Sequence, residues 1–472
     1  MPPLVEDLRA YYEREVASFH MPGHKQRTGG LHPLAEEVFG AAAIRADVSE
    51  MGGFDYLYAP DGPMIDAQRR AADTFGARQT FFLVNGSTVG NLAAVTAFAS
   101  DASHVVLIRG SHRSVYTAVA LCGAIPHCLP MAYNSAEDGW FFAEAPRALH
   151  LPGRLAVVHV TRPNYYGMAC DLGPYLELAR ATGAMLIVDE AHGSHFGQHG
   201  EFPMSALQLG ADVVIQSTHK TLGALTQASM LHIGTERVDV DRIARSLQML
   251  QSSSPSALLT LSLDLAADHV ATQRAAMFNS VVAIAGEVGD AVDAMPHLRR
   301  TRSSQAGSAC DPTKLVIDVS GTGRNGFAAA RYLKETCGVS VELADHRRII
   351  CSLTIGDTQE SARVLIDALA TLSAAEPGVA APSGILLPAL PPMDATPRAA
   401  MACPTEVISL DACADRTCAE YVIPYPPGIP LVVPGERLTV DVLDAIAAFR
   451  RCGSRIVGPA DPSGERLVVV RA

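Results

Sequence analysis

The sequence lacks several features that would assign it to whole classes of protein. None of its ten cysteines forms a Cys-x-x-Cys pair, so we expect free thiols in the reducing cytoplasm and no structural metal site. The N-terminus has no basic region followed by an apolar run, and no stretch of about twenty apolar residues occurs. We therefore expect neither a signal peptide nor a membrane partner. The P-loop pattern G-x-x-x-x-G-K-[ST] is also missing.

An excess of positive charge is missing too, because 37 Lys and Arg face 49 Asp and Glu, for a net charge of -12. Nucleic-acid binding without sequence preference depends on Lys and Arg neutralising phosphates, so we expect no nucleic-acid partner. The chain has 472 residues, of which 48% are hydrophobic. This length and composition predict two or three domains with well-buried cores.

Short apolar runs alternate with helical stretches in the first two thirds of the chain. The runs are 105–108 (VVLI), 155–160 (LAVVHV), 185–188 (MLIV) and 213–215 (VVI), and a helical stretch at 174–182 lies between two of them. Continuous apolar runs are typical of strands covered on both faces in a parallel sheet. We therefore predict an α/β fold with its ligand site at the C-terminal ends of the strands.

A second α/β unit follows, with strands predicted at 315–319 and 349–354 and a helix at 326–336. An Ala- and Pro-rich stretch then reads as a linker. The predicted division is an N-terminal segment (1–30), a large domain (31–290), a small α/β domain (291–375), a linker (376–393) and a C-terminal domain (394–472).

The segment Ser217-Thr218-His219-Lys220 directly follows the apolar run at 213–215. A lysine at the mouth of a buried sheet is costly unless it is used. Pyridoxal 5′-phosphate (PLP) uses such a lysine, because its aldehyde condenses with the ε-amine. His219 would then lie beside the cofactor and Ser217 near its phosphate. An ordinary surface lysine just past a strand gives the same pattern.

An acidic residue, Asp189, ends the apolar run at 185–188, and His192 follows three residues later. A carboxylate against the pyridine nitrogen of PLP keeps that nitrogen protonated. The spacing of 31 residues to Lys220 amounts to one helix and one strand, which would put the two residues on neighbouring strand ends. The alternatives are a helix N-cap for Asp189 and a structural role for His192.

Two further segments fit the same cofactor. Residues 85–91 (NGSTVGN) are predicted to open a helix, where Gly86, Ser87 and Thr88 would offer N–H groups and hydroxyls to a phosphate. His112 follows the run at 105–108 and would stack on the pyridine ring. Either segment has a simpler interpretation, an ordinary helix cap or a loop histidine. The four together, in this order at strand ends, favour a PLP site.

At these residues the sequence resembles the bacterial Orn/Lys/Arg decarboxylases of PLP fold type I, and particularly the shorter, arginine-decarboxylase-like members that lack an N-terminal wing domain. The likeness covers nearly the whole chain. It is carried by residues 19–25 (FHMPGHK), 85–91, 189–193 (DEAHG), 217–222 (STHKTL), 311–314 (DPTK), 425–430 (YPPGIP) and 434–436 (PGE). The resemblance implies an aspartate-aminotransferase-like large domain with a mainly parallel sheet, a small α/β domain and a C-terminal α+β domain.

The resemblance also implies roles for individual residues. Lys220 carries PLP as an imine, Asp189 pairs with the ring nitrogen, and His112 stacks on the ring. His192 and His219 flank the cofactor. Independently of the resemblance, we expect His219 or Lys220 to protonate the substrate Cα after CO2 leaves. The phosphate is held by Ser87, Thr88 and Ser217, next to Gly86.

The substrate implied is a basic amino acid, arginine first and then lysine or ornithine, and the amine product suggests polyamine biosynthesis. Two positions depart from the family pattern, since Asn164 and Arg113 stand where Thr and Lys are frequent. Carboxylates considered for the distal cation are Glu342, Asp345, Glu406 and Glu436. Residues 251–256 (QSSSPS) match a segment that reaches a neighbouring subunit, which implies a homodimer or a higher homo-oligomer with shared sites.

Two other functions are compatible with the same residues. An aminotransferase or an aldolase-type lyase of the same fold would use identical cofactor contacts, because orientation at Cα decides which bond breaks. A non-catalytic regulatory relative is a further alternative, although Lys220 and Asp189 are both present. Product analysis separates decarboxylation from transamination.

Overall fold

The computed structural model describes residues 1–14, 17–134, 139–142, 149, 151–301, 307–378, 388–425 and 428–471. The chain divides into two compact units. The first unit comprises Met1–Ala97, Ile187–His199 and Met204–Met277, and the second comprises Phe98–Leu186, Gly200–Pro203 and Phe278–Ala472. This division differs from the five segments predicted from the sequence, whose boundaries stay predictions. Most of the predicted linker, 379–387, lies outside the described residues.

The helices, in chain order, are α1 (Pro3–Glu13), α2 (Ala35–Phe39), α3 (Ala41–Ala46), α4 (Pro63–Phe75), α5 (Gly86–Phe98), α6 (Arg113–Cys122), α7 (Gly173–Thr182), α8 (Thr218–Thr221), α9 (Val240–Leu250), α10 (Ala257–Asp293), α11 (Gly326–Cys337), α12 (Gln359–Ala374), α13 (Pro397–Ala402) and α14 (Val440–Arg451). The strands are β1 (Gln79–Leu83), β2 (His104–Ile108), β3 (Ile125–Leu129), β4 (Met131–Asn134), β5 (Gly139–Phe142), β6 (Leu155–Thr161), β7 (Met168–Ala169), β8 (Met185–Asp189), β9 (Val213–Gln216), β10 (Ser229–Ile233), β11 (Arg299–Arg300), β12 (Ala309–Cys310), β13 (Lys314–Asp318), β14 (Leu343–Ala344), β15 (Arg348–Ser352), β16 (Thr405–Ser409), β17 (Ile423–Tyr425), β18 (Arg455–Val457) and β19 (Arg466–Val470).

Four strands of the first unit are hydrogen-bonded in the order β1, β10, β9, β8. Strands β8 and β9 are parallel, with Asp189 opposite Ile215, whereas β10 runs antiparallel to both β9 and β1. The central residues of β8, β9 and β10 are buried, and for β8 and β9 the apolar runs predict this. Because parallel strands end at the same edge, the segments that follow β8 and β9 begin side by side.

The second unit contains Met185 and Leu186 of β8 together with β6, β2 and β3, and these strands are hydrogen-bonded in the order β8, β6, β2, β3. Strand β2 runs parallel to both β6 and β3. The four strands predicted from apolar runs are thus confirmed as β2, β6, β8 and β9, and α7 confirms the helix predicted at 174–182. The mainly parallel α/β architecture is confirmed as well.

The rest of the second unit has a four-stranded sheet and several two-stranded sheets. Strands β11, β13, β15 and β14 form an antiparallel sheet whose core includes Ile317, Leu333 and Ile349. Near the C-terminus, β16 pairs with β19 and β17 pairs with β18. Cys413 and Cys418 are buried free thiols in the core beside these pairs.

Residues 321–326 fit the spacing G-x-G-x-x-G, a pattern associated with dinucleotide binding. The structure gives these glycines other roles. Gly323 has a positive φ of 69° at a turn, and a Cβ on Gly326 would lie 2.1 Å from the Arg348 carbonyl oxygen. The preceding strand, β13, belongs to an antiparallel sheet rather than to a parallel βαβ unit. The surroundings therefore do not support a dinucleotide site.

Helix α10 is, in the part of the chain described, the one helix long and apolar enough to cross a bilayer by length and composition. Core helices of globular proteins pass the same test. Val270, Val288 and Val292 on this helix are buried in the protein. A charged residue, Asp264, is buried as well. We therefore interpret α10 as a core helix.

Asp264 ties the N-terminal helix to α10 within the first unit. Its Oδ2 accepts the backbone N–H of Leu4 at 2.9 Å, and its Oδ1 has no hydrogen-bond partner among the described residues. Burial raises the pKa of Asp264 to about 6, although Leu4 and Arg70 oppose the shift. A carboxyl whose pKa is raised on folding contributes stability at low pH, and that contribution is lost as pH rises through the folded pKa.

We expect Asp264→Asn to raise the melting temperature at neutral pH, because the neutral amide keeps the acceptor for Leu4 without the buried charge. The free energy of unfolding gained by the variant should grow from pH about 4 to about 6 and then level off at about 1 to 2 kcal/mol. Thermal unfolding across this pH range measures it. Asp268→Asn, one turn along α10, is the control, because it breaks the ion pair with Arg70 and should stabilise at no pH. A D264N protein that melts below the native protein at neutral pH would contradict this account.

Candidate active site

Lys220 lies on the short helix α8, immediately after β9 and Ser217. Its backbone N–H donates to the carbonyl of Ser217, and its side chain is exposed. The Nζ atom lies 3.0 Å from Nε2 of His192, which follows β8. The parallel pairing of β8 and β9 accounts for this proximity, because it brings both strand ends to one edge. The sequence had predicted that Asp189 and Lys220 follow neighbouring strand ends, and the pairing of β8 with β9 agrees with this.

Asp189 is the last residue of β8 and is 3% exposed. Its Oδ2 accepts from Nδ2 of Asn91 at 2.8 Å, and its Oδ1 accepts from the backbone N–H of Ala191 at 3.1 Å. These two donors fix the plane of the carboxylate. Asn91 had no assigned role in the sequence interpretation, but it lies on α5 four residues after Ser87, so one helix face carries both side chains.

The start of α5 forms a polar cradle next to α8. Gly86 has a φ of 73°, a value that favours glycine, and it begins the helix. Ser87 is buried, and its hydroxyl lies 2.7 Å from the hydroxyl of Ser217. Thr88 is exposed. The sequence predicted that Ser87 and Ser217 would act on the same group, and the structure brings their hydroxyls together at a helix N-terminus, a favourable place for a phosphate.

The ring of His219 is held by a hydrogen bond to a backbone carbonyl. Its Nδ1 lies 2.8 Å from the carbonyl of Ala228, which accepts from it. Burial lowers the pKa of His219, the Ala228 carbonyl opposes the shift, and the charge of Lys220 lowers the pKa further. The imidazole is therefore neutral at neutral pH.

Residues 251–254 contact the same cradle within one chain. Oε1 of Gln251 accepts the Val84 N–H at 2.9 Å, and the Ser252 N–H donates to Oδ1 of Asn85 at 3.0 Å. Tyr58 donates its hydroxyl to the carbonyl of Ser252 at 2.7 Å. This segment thus supports the loop that leads into α5, which is a role the sequence interpretation did not assign to it.

A buried polar chain on the other face of these strands also escaped the sequence interpretation. Glu190 accepts from the Ala206 N–H and from Nε2 of Gln216, both at 2.8 Å. Because a carboxylate only accepts, the Gln216 amide nitrogen faces it, and Oε1 then accepts from Nε2 of His232 at 3.2 Å. Nδ1 of His232 lies 2.8 Å from the Thr80 hydroxyl, which donates. Burial lowers the pKa of His232 to about 3, so the imidazole is neutral.

His112 belongs to the second unit, where it is the N-cap of α6. Its Nδ1 lies 2.8 Å from the Ser114 hydroxyl and accepts the Ser114 N–H at 3.3 Å. These contacts agree with the simpler interpretation as a capping residue and leave its ring-stacking role as a prediction.

The carboxylates considered for the substrate cation also lie in the second unit. Glu406 pairs with Arg416 at 2.6 Å on β16, and Asp345 accepts from the Tyr166 hydroxyl at 3.0 Å and pairs with Arg348 at 3.4 Å. Glu342 is exposed. Its charge opposes the effect of burial, which lowers the pKa of Lys314.

Glu436 is 1% exposed and pairs with Arg109 at 2.5 Å. A buried carboxylate engaged with an arginine of its own chain is not available to a substrate cation. Of the four carboxylates, Glu406, Asp345 and Glu436 are thus each held by an arginine. Residues 426–427 of the YPPGIP motif lie outside the described residues.

The residues of the first unit fit PLP. The hydroxyls of Ser87 and Ser217 and the N–H groups that open α5 suit a dianionic phosphate. The oriented carboxylate of Asp189 suits a protonated ring nitrogen, and the exposed amine of Lys220 suits an aldehyde. Close packing also favours this arrangement, since a Cβ on Gly90 would lie 2.8 Å from Cγ2 of Ile215, so α5 needs a glycine to approach the sheet.

Comparison with protein families agrees with these features. The model described as Orn/Lys/Arg decarboxylase, major domain, matches residues 2–138 and 142–306, and the corresponding C-terminal domain matches residues 381–458. The chain is 34% identical to the arginine decarboxylase of Bacillus subtilis over 479 residues, covering 99% of this chain and 98% of that protein. It is 27% identical to a lysine decarboxylase of Pseudomonas aeruginosa over 298 residues, which cover 56% of this chain and 39% of that protein.

Solved structures share the fold. The constitutive lysine decarboxylase of Escherichia coli superposes with a TM-score of 0.81 at 20% identity, covering 100% of this chain and 82% of that chain. A lysine decarboxylase of Francisella novicida gives a TM-score of 0.84 at 19% identity, covering 99% and 81%. An N-succinyldiaminopimelate aminotransferase of Mycobacterium tuberculosis gives a TM-score of 0.51 at 17% identity, covering 79% of this chain and 90% of that chain. The predicted fold type is confirmed.

Proposed function

The chain belongs to the Orn/Lys/Arg decarboxylase family, and from that membership we propose that it converts arginine to agmatine and CO2 with PLP bound at Lys220. Membership makes it a decarboxylase of basic amino acids. The choice of arginine is supported by the full-length similarity to a protein named arginine decarboxylase, which exceeds the similarity to the lysine decarboxylases. The grouping of Lys220, Asp189 and the Ser87–Ser217 pair in one unit carries the cofactor assignment.

When bound, PLP supplies an aldehyde that condenses with a primary amine and a protonated ring that takes up the electrons of the broken bond to CO2. We propose that Ser87, Ser217 and the N-terminus of α5 bind its phosphate. Asp189, oriented by Asn91 and Ala191, would hold the proton on its ring nitrogen. His112 would pack against the ring.

The proton that replaces CO2 on Cα comes from Lys220 in this proposal. The neutral imidazole of His219, whose Nδ1 donates to Ala228, has no proton to give at its other nitrogen. Nζ of Lys220 does have one, and His192 Nε2 lies 3.0 Å away, within reach to hold or exchange a proton with it. We therefore assign His219 to packing beside the cofactor and the proton transfer to Lys220.

For the distal guanidinium we propose Glu342. Glu406, Asp345 and Glu436 are each already paired with an arginine, and breaking those pairs would leave a cation without its partner. Glu342 is exposed and forms no ion pair with an arginine in the part of the chain described. A carboxylate suits a guanidinium because it can accept two parallel N–H donors.

The proposal extends to a cytoplasmic homodimer serving polyamine biosynthesis. All ten cysteines are free, which suits a reducing compartment. The first unit exposes large apolar side chains at Phe19, Met21, Val38 and Phe39 that a second copy of the chain would cover. The segment 251–256, resembling one that reaches a neighbouring site, lies in the same unit.

The test is an assay of CO2 release and amine product with arginine, lysine and ornithine in turn. We expect agmatine and CO2 in equal amounts from arginine, with the highest kcat/KM of the three. A keto acid formed without CO2 would favour the aminotransferase alternative, which shares the fold. No turnover by PLP-loaded protein on any of the three would favour a non-catalytic relative.

Ser87→Ala should weaken cofactor binding. A hydroxyl that bonds a phosphate contributes about 1.5 to 3 kcal/mol, so we expect the Kd for PLP to rise about tenfold or more. Titration of the apoprotein with PLP measures the change. Thr96→Ala, on the same helix, is the control, because that hydroxyl donates to the Leu92 carbonyl at 2.7 Å. Equal Kd values for the two variants would remove Ser87 from the phosphate site.

A further inference from the structure

Helix α6, which His112 caps, is held at both ends by residues near the C-terminus of the chain. At its C-terminal end, Nε of Arg398 donates to the carbonyl of Ala120 at 3.0 Å, and Nη2 donates to the carbonyl of Leu121. Just before its N-terminal end, Arg109 pairs with Glu436. Residues about 280 to 330 positions away in sequence thus fix the helix at two points.

The Arg109–Glu436 pair is buried on both sides, at 5% and 1% exposure. Nη2 of Arg109 donates to Oε1 of Glu436 at 2.5 Å, and Oε2 accepts the Val433 N–H at 2.9 Å. Nη1 of Arg109 is buried with no acceptor among the described residues. The guanidinium therefore depends on Glu436 for its position.

Other polar groups near Arg109 do not replace Glu436 as a counter-charge. Burial raises the pKa of Cys128 to about 11 and raises that of Tyr116 well above its ordinary value, so both are neutral at neutral pH. Burial also raises the pKa of Glu436, and the Arg109 guanidinium opposes that shift. The ionised carboxylate and the guanidinium stabilise each other, and removing either leaves a buried charge alone.

The backbone of Arg109 connects this pair to the start of α6. The Tyr116 hydroxyl, on the first turns of α6, donates to the Arg109 carbonyl at 3.0 Å. Between them, the Ser111 N–H donates to the Ile108 carbonyl, and the Val115 N–H donates to the His112 carbonyl. A shift of Arg109 therefore moves the three-residue loop that ends at His112.

We propose that Glu436 is a positioning residue for His112, acting through Arg109. Because Glu436 belongs to the C-terminal region of the chain, this role would make that region contribute to cofactor binding. This inference rests on the proposed function, because the placement of His112 matters only if the PLP ring binds against it.

The test is a cycle of four proteins: native, Glu436→Gln, His112→Ala and the double variant. The amide of E436Q has a single oxygen and must give up either Arg109 or the Val433 N–H. We expect the Kd of the apoprotein for PLP to rise about tenfold in E436Q, with altered visible circular dichroism of the bound cofactor. In the H112A background the same change should raise Kd less than about twofold, because contributions made through one residue are not additive.

Arg437→Gln is the matched control. Arg437 is the next residue after Glu436, and this change removes its exposed ion pair with Asp394, so the Kd for PLP should stay unchanged. An E436Q effect of equal size in both backgrounds overturns the positioning role. A normal Kd and normal turnover in H112A would instead overturn the proposed role of His112. If E436Q does not fold, the double variant Arg109→Gln/Glu436→Gln takes its place, because it removes both buried charges together. The same four-protein cycle with H112A then tests whether the effect on the Kd for PLP passes through His112.

Discussion

Lys220→Ala should lower kcat by about 10⁴-fold or more, the scale of loss when a covalent catalyst is removed, and should abolish the visible absorbance of the PLP-loaded protein. Both effects follow from the role proposed for the ε-amine at this position, which would join the cofactor to the protein and carry the proton destined for Cα. The loss should appear in kcat more than in KM. Absorbance spectra and CO2 release from arginine measure the two effects separately.

Lys220→Arg provides the control for charge. Arginine keeps a cation within reach of Nε2 of His192, but it stays protonated and does not condense with an aldehyde. It should therefore fail as completely as alanine. Lys25→Ala changes a lysine whose ammonium donates to the His20 carbonyl elsewhere in the first unit and should leave the visible absorbance intact. Full turnover by K220A, or normal absorbance in K220R, would defeat the mechanism.

The arrangement of Lys220 and Asp189 was predictable because it depends on local patterns. Apolar runs of three to six residues mark strands buried on both faces. Asp189 follows one such run directly, and Lys220 lies five residues after another. The spacing between the two residues fits one crossover connection, which places them on neighbouring parallel strands. The pairing of Asp189 with Ile215 at the ends of β8 and β9 confirms that inference.

What escaped prediction depends on residues that meet only after folding. The antiparallel pairing of β1 with β10 has no local signal, although β1 carries an apolar run of its own at Phe81, Phe82 and Leu83. The chain from Glu190 through Gln216 and His232 to Thr80 joins four separate segments across four strands. Nothing in any one of these segments indicates the others.

The carboxylates show the same limit. A glutamate in sequence has an acidic group but no visible partner, so Glu406, Glu436 and Asp345 were all plausible acceptors for a substrate cation. Folding supplies each with an arginine of its own chain, from 3 to 327 positions away. Ion pairing within the folded chain, which in the case of Glu436 joins residues 327 positions apart, decides whether a carboxylate is available to a ligand.

Asp189→Asn should lower kcat about 10² to 10⁴-fold, the contribution typical of a group that holds a proton where the reaction needs it. A neutral amide no longer favours a proton on the ring nitrogen, so the ring accepts electrons less readily. The amide also has one oxygen for two donors, Asn91 and Ala191, so its orientation is less well fixed. Steady-state kinetics with arginine, together with the Kd for PLP, measure the loss.

Glu190→Gln is the matched control. Glu190 directly follows Asp189 in sequence but lies on the opposite face of the sheet, and the change removes the same charge. Its two donors, Ala206 and Gln216, would then share one oxygen, so the melting temperature should fall while kcat changes little. The two variants thus separate chemistry from folding. If D189N and E190Q lost kcat equally, the carboxylate of Asp189 would act by supporting the strand end and not by facing the cofactor ring.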